Sequence, residues 1–185
     1  MRAAVYVGDP KSLALEALKP NPPGPRCITN SASVKLTPGL TNTPAVQRMK
    51  IKGTLQGCEG EPFTAATYKG TLQTAGPVTC AALTEPSEPA IGTVKFKWTP
   101  ATKPATSVGT MSVPFAAAST IQLVSNEITF GRAFEFSGEV QTGAHSPLAF
   151  TGTALTRYFG GSRCGVPKSK AVKAGEVSNS EVGFP

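Results

Sequence analysis

The residue types that most often perform chemistry are scarce in this chain. Its single histidine, His145, lies in the turn-like segment TGAHSP, and the adjacent Ser146 lacks the GxSxG context of an activated nucleophile. Glu135 and Glu139 share one face of a strand pattern, but they would be roughly 13 Å apart, wider than the carboxyl pairs of glycosidases. We therefore predict no catalytic residue and expect that the protein is not an enzyme.

The cysteines have a spacing that favours disulfides over metal binding. They are even in number, far apart, free of any CxxC pair and without a histidine nearby, and they are Cys27, Cys58, Cys80 and Cys164. Three pairings would satisfy two bridges, and we favour Cys27 with Cys58 and Cys80 with Cys164. The alternative is four reduced cysteines buried in an intracellular protein. We expect no metal and no cofactor, and two bridges would indicate an extracellular or cell-envelope protein.

The chain is basic, with a formal net charge of +7 and a pI of about 9.4. The excess reflects few acidic residues, since Asp9 is the only aspartate. One denser run is a candidate anion-binding surface for an anionic cell-surface polymer, and its members are Arg157, Arg163, Lys168, Lys170 and Lys173. The competing interpretation of this run is an ordinary solvated face.

A nucleic-acid partner is suggested by one segment only. GTVKFKW, from Gly92 to Trp98, resembles the opening strand of cold-shock domains, in which aromatic residues and lysines interleave. The aromatic second strand of such domains is missing, and strict alternation places Phe96 and Trp98 toward the core. We therefore predict a packing role for Trp98 and no nucleic-acid binding.

The first 26 residues are predicted to form an arm or linker. A short helix is predicted over 12–18, and the proline-rich stretch 20–25 should be stiff and extended. The arm lacks the continuous apolar core of a secretory signal, so we interpret it as a replaced or mis-started leader, or as an extended arm. No stretch approaches the roughly 20 apolar residues of a transmembrane helix.

From Cys27 onward the hydrophobic pattern has a period of two, which is typical of half-buried strands. The pentamer KGTLQ occurs at Lys52–Gln56 and again at Lys69–Gln73, separated by the turn-rich GCEGEP. This arrangement predicts a β-hairpin. Similar alternation predicts strands around 94–98, 134–140 and 150–158, with weaker candidates at 33–36, 107–114, 120–130 and 176–184.

Glycines recur on the inward face of these strands, at Gly53, Gly70, Gly138 and Gly152. Because an inward glycine permits a bend and leaves room for a large neighbour, they predict a curved sheet. We predict a single all-β domain over 27–185, either an antiparallel β-sandwich or a closed or partly open β-barrel of about 8–10 strands.

Several longer segments resemble one group of proteins. LTPGLTNTPAVQRMKIKGTLQGCEG, GPVTCAAL, GTVKFKW and SRCGVPKSKAVKAGEV are similar to segments of small secreted β-rich proteins of actinobacteria with four cysteines and no known activity. The resemblance covers most of 27–184 and all four cysteines. It implies an extracellular, disulfide-bonded domain, and it brings no catalytic residues.

These observations favour a non-enzymatic secreted β domain with a binding or structural role at the cell surface or envelope. One alternative is a subunit of an extracellular assembly that docks on copies of itself through the N-terminal arm. A second alternative is a small-ligand carrier or hydrolase that uses a barrel interior.

Overall fold

The computed structural model describes residues 24–60, 62–83, 85, 87–101, 104–115, 132–159, 164, 166–168 and 170–185. These ranges form eight β-strands and one short 3-10 turn at Cys80–Leu83. The strands are β1 (Arg26–Leu40), β2 (Arg48–Glu59), β3 (Ala65–Thr74), β4 (Ala90–Thr99), β5 (Thr106–Val113), β6 (Arg132–Gly143), β7 (Ala149–Tyr158) and β8 (Val172–Gly183).

The strands form a closed antiparallel barrel in which each strand pairs with its neighbours in sequence. Strand β8 returns to pair with β1, and this last seam contains register shifts on either side of Asn30 and beyond Lys35. Of the architectures considered from sequence, the barrel is the correct one and the sandwich is not. Closure leaves no free sheet edge along these eight strands, which removes the usual template for edge-to-edge pairing.

The repeated KGTLQ segments form the predicted hairpin between β2 and β3. The register places Lys52 directly opposite Lys69, with Gly53 opposite Tyr68 and Ile51 opposite Gly70. Antiparallel pairing reverses the second copy, so of the outward residues in the two copies only the lysines face each other, while Thr54 faces Thr67 and Thr71 faces Lys50. The repeat thus duplicates one strand design on both sides of a hairpin.

The barrel interior contains large side chains that pack into positions left empty by glycine. On β6 and β7, Phe136 lies opposite Gly152 and Gly138 lies opposite Phe150. A Cβ added at Gly138 would overlap with the Phe150 ring, and one added at Gly152 would overlap with the Phe136 ring. The two strands therefore interlock, and this explains two of the inward glycines predicted from sequence, Gly138 and Gly152.

The upper end of the barrel, at which β2, β4, β6 and β8 finish, is closed by ring packing. The rings involved are Phe63, Phe96, Trp98, His145, Phe150 and Phe184, with centroid separations between 4.8 and 5.8 Å. Trp98 is 2% exposed, and its Nε1 donates a hydrogen bond to Ser107 Oγ at 2.7 Å. The predicted packing role of Trp98 is thus confirmed.

The opposite, lower end is closed by loops. The 3-10 turn that follows β3 buries Ala82 and Leu83, and Cys80 in this turn is bonded to Cys164 in the loop between β7 and β8. The β1–β2 loop is fixed by the buried Gln47, whose amide exchanges hydrogen bonds with the backbone of Gly39 at 2.9 and 3.2 Å.

The two disulfides are Cys27–Cys58 and Cys80–Cys164, which is the pairing favoured from sequence. The first joins directly opposed residues on β1 and β2, and the second joins two loops of the lower end. The bridges close separate loops of the chain, with sequence separations of 31 and 84 residues.

The N-terminal arm falls mostly outside the described residues, including the predicted helix at 12–18, and so does the weak strand candidate at 120–130. At the end of the proline-rich stretch, Pro25 O accepts a hydrogen bond from Phe184 N at 3.1 Å, so the domain begins at least as early as Pro25. Among the described residues, no helix has the length and apolar character needed to span a bilayer.

Candidate anion-binding surface

Outward-facing lysines form a continuous row across three strands of the barrel. Lys52 on β2 lies opposite Lys69 on β3, and Lys69 lies opposite Lys95 on β4. Ser33 on β1 extends the row beyond Lys52. Adjacent strands are about 4.8 Å apart, so the three lysines originate at regular short intervals around the barrel wall.

The neighbouring rows have the same composition of basic and hydroxyl side chains. Directly below the first row, Lys35 pairs with Lys50, which is followed by Thr71 and Thr93. We call the exposed basic side chains of these two rows and of the rows directly above and below them on β1–β4 the lysine face. It comprises Lys35, Arg48, Lys50, Lys52, Lys69, Lys95 and Lys97.

The cations of the lysine face are not paired with acidic side chains of the described residues, although Glu176 of β8 lies at the end of the first row, opposite Ser33. All seven cations are exposed, and none forms an ion pair with any other described residue. The salt bridge present in the described ranges is Arg26–Glu181 at 2.6 Å, which joins β1 to β8 rather than to β2. Like charges directly opposite one another on a sheet are destabilising, so the arrangement opposes folding.

A shallow groove of about 690 Å³ crosses this surface at the edge of the lysine row. Lys52 and Lys69 contribute to one side, and Glu176 of β8 lies at the far side. Between them the lining includes the exposed hydroxyl side chains Ser31, Ser33, Thr54, Thr67 and Ser178. The groove passes over Gly53, where the absence of a side chain lets the Tyr68 ring approach from inside. The site therefore combines fixed positive charge with hydrogen-bonding hydroxyls.

The basic run predicted from sequence lies elsewhere on the barrel. Lys168 and Lys170 are exposed in the loop between β7 and β8, and Lys173 is exposed on β8. Arg157 is on β7 with its backbone opposite Glu176, and Arg163 is outside the described residues. Lys173 adjoins Ala174, which lies opposite Lys35 at the border of the lysine face, and the role of the run in anion binding stays a prediction.

His145 lies in the turn between β6 and β7 and packs into the upper aromatic cluster. Its ring contacts Trp98, Phe63 and Phe184 edge-on or tilted, and its backbone has a φ of 62°. Nε2 is buried without a hydrogen-bond partner in the described structure, and burial lowers the pKa of the imidazole below its ordinary value. The imidazole ring therefore packs as a neutral group. The residue lies in a turn, as predicted from the sequence.

The glutamates weighed as a catalytic pair have no carboxylate directly opposite them. Glu135 faces Thr153 on β7, and Glu139 faces Ala149 on β7 and Thr110 on β5. No group of three or more potential metal ligands forms within the described part of the chain.

The middle of the barrel contains a small cavity with a mostly apolar lining. It measures about 20 Å³, which is enough for about one water molecule. Tyr68 Oη donates a hydrogen bond to Asn30 Oδ1 at 2.7 Å beside it, and burial raises the pKa of both Tyr68 and Tyr158 above the ordinary tyrosine value. An organic ligand would not fit here without moving the surrounding side chains.

The lysine face was not identified from the sequence, although part of the signal was present. The alternation correctly placed Lys50, Lys52, Lys69, Lys95 and Lys97 on outward faces. Their convergence depends on the β2–β3–β4 register, which sets residues far apart in sequence side by side. The density of basic residues along the chain instead predicted an anion-binding surface in the run from Arg157 to Lys173.

The fold and this surface define a closed eight-stranded antiparallel barrel with a filled centre and a basic outer face. No protein-family model matches the chain, and searches of curated proteins and of solved structures also find no match.

Proposed function

We propose that this protein is a non-enzymatic extracellular binding domain that attaches to an anionic polymer of the cell surface through its lysine face. The observation that supports this proposal most directly is the unpaired row Lys52–Lys69–Lys95. Three opposed lysines repel one another in the free protein, and a polyanion would relieve that repulsion when it binds. A binding role would therefore explain why the chain contains a row that destabilises the free protein.

The extracellular location is supported by the two disulfides, which persist in oxidising compartments. Action through the outer wall is supported by the interior, where large side chains pack together and the cavity near Tyr68 measures about 20 Å³. A carrier or hydrolase that uses the barrel interior therefore has less support. Docking through the N-terminal arm would involve residues that lie mostly outside the described ranges.

The proposal is tested with two charge-reversal variants of equal net charge. One variant carries K52E, K69E and K95E on the lysine face. The control carries K168E, K170E and K173E in the basic run near β8, so both proteins lose the same formal charge. Binding to immobilised heparin, polyphosphate and polygalacturonate is measured by surface plasmon resonance over a range of salt concentrations.

We expect the lysine-face variant to lose at least about tenfold in affinity for every polymer that the wild type binds, which corresponds to about 1.4 kcal/mol. The control should stay near the wild-type affinity. The wild-type affinity should fall steeply with salt, because counterions are released on binding, and the lysine-face variant should show a shallower dependence. Equal losses in both variants, or no binding of any polymer by the wild type, would contradict the proposal.

A further inference from the structure

The row of lysines sets a spacing that a ligand has to match. Directly opposed residues in neighbouring strands have their Cβ atoms about 4.5–5.5 Å apart. Ser33, Lys52, Lys69 and Lys95 therefore follow one another at nearly constant intervals, perpendicular to the strands. This interval is comparable to the length of one 1,4-linked hexuronate unit, which has one carboxylate per ring.

The side chains around the row suit a sugar rather than a base. Thr54 and Thr67 lie opposite each other in the row above, and Thr71 and Thr93 lie opposite each other in the row below. Hydroxyls at these positions can donate to and accept from the hydroxyls of a pyranose ring. Successive rings of a 1,4-linked polyuronate are rotated relative to one another, and the long, flexible lysine side chains can reach carboxylates on either side of the polymer.

Nucleic acid fits this surface less well. The aromatic residues of β3 and β4, namely Tyr68, Phe96 and Trp98, are buried on the inner face and offer no platform for stacking bases. Arg48 is the single arginine among the seven cations of the lysine face, so the bidentate contacts that arginine makes to phosphate are largely missing.

From this geometry we propose that the ligand is a polyuronate that lies across β2, β3 and β4 along Lys52, Lys69 and Lys95, with one carboxylate beside each lysine. On the β1 side the polymer ends at Ser33, because Glu176 lies opposite Ser33 on β8 and would repel a further carboxylate. The inference rests on the proposed function and specifies the chemical class of polymer. It also fixes the direction of the polymer relative to the strands.

The test uses galacturonate oligomers of defined length with the intact protein. Affinity should rise steeply from the disaccharide to the trisaccharide, because the third carboxylate reaches the third lysine, and more slowly beyond that. The methyl-esterified trisaccharide has no charge and should not bind. Heparin, single-stranded DNA and vesicles containing phosphatidylglycerol serve as competing probes.

Two single substitutions separate the row from the rest of the face. Lys69→Gln removes the central lysine, and we expect about a tenfold loss in trigalacturonate affinity. Lys97→Gln removes a lysine on the same face but in the next row, opposite Thr67 and Thr106, and should have a smaller effect. Each variant loses one positive charge, so the two have equal net charge and the comparison isolates the position of the lysine.

The outcomes distinguish this inference from the proposed function. Binding of heparin, DNA or anionic vesicles in preference to galacturonate, with loss in the lysine-face variant, would overturn the polyuronate assignment and leave the lysine face as a polyanion site. Equal effects of Lys69→Gln and Lys97→Gln would overturn the alignment along the row. Failure of the wild type to bind any of the probes would remove both proposals.

Discussion

At the scale of single residues, the barrel is stabilised by glycine and aromatic residues that exchange places on neighbouring strands. Phe136 occupies the space above Gly152, and Phe150 occupies the space above Gly138. Each glycine costs some strand stability by itself, but the buried ring that replaces its side chain contributes more, since burying a phenylalanine is worth about 1.5–3 kcal/mol. The four positions therefore act as one packing unit.

This packing of rings against glycines predicts that adding a single methyl group at one of the glycines lowers the stability of the barrel. In Gly138→Ala, the new Cβ would overlap with the Phe150 ring and with the Thr110 carbonyl oxygen. Because the backbone oxygen cannot rotate away, we expect a loss of about 1–3 kcal/mol in unfolding free energy, measured by urea denaturation. Gly76→Ala is the control, since nothing lies within 4 Å of its added Cβ. Equal stability of the two variants would contradict the interlocking account.

At the scale of elements, the hairpin formed by the two KGTLQ copies has a structural cost. Its register puts Lys52 opposite Lys69, and β4 adds Lys95 on the other side of Lys69. Lys69 therefore has a like charge on both flanks, whereas Lys97 lies between two threonines. Natural sheets avoid such pairs when stability alone is at stake.

The repulsion around Lys69 can be measured as a gain in stability when its charge is removed. Lys69→Gln should raise the unfolding free energy by about 0.2–1 kcal/mol at low salt, because it removes both repulsions. The gain should shrink at high ionic strength, where exposed charges are screened. Lys97→Gln should give a smaller change under the same conditions. A destabilised Lys69→Gln protein at low salt would show that repulsion in this row is not significant.

At the scale of the whole molecule, the two disulfides stabilise the barrel in different ways. Cys27–Cys58 joins two strands that are already hydrogen-bonded neighbours. Cys80–Cys164 joins the turn after β3 to the loop before β8 and so spans the lower end of the barrel. Because the two closed loops do not overlap in sequence, their effects on the unfolded chain should be additive.

The difference in loop length predicts an order of stability. In the chain-entropy model, the separation of 31 residues corresponds to about 3.7 kcal/mol and the separation of 84 residues to about 4.6 kcal/mol. The double variant C80A/C164A should therefore lose more unfolding free energy than C27A/C58A. Urea denaturation of both proteins tests this order, and a reversed order would show that strain or local packing outweighs loop entropy.

Much of this architecture is readable from the sequence, because side chains on a strand alternate between two environments. Met49, Ile51 and Leu55 are buried and Lys50 and Lys52 are exposed, as the period of two predicts. The hairpin of the KGTLQ copies, the inward glycines and the core position of Trp98 follow from the same local rule. The spacing of the cysteines also favoured a disulfide framework over a metal site.

Other properties depend on contacts between distant parts of the chain. Alternation gives the inner and outer face of each strand, but it does not specify which strand lies beside the last one. The choice of a barrel over a sandwich is made where β8 pairs with β1, across about 150 residues of chain, as in the pairing of Asn30 with Ser180. No local pattern encodes such a partner, because the energy of closure is shared over the whole wall.

The sequence by itself therefore determined the strands and their buried faces, since both arise from the alternation of side chains between neighbours along the chain. Only the tertiary structure decided that lysines from three strands form one row. Electrostatic repulsion and ligand binding depend on distances in space, and the register of the closed sheet sets those distances.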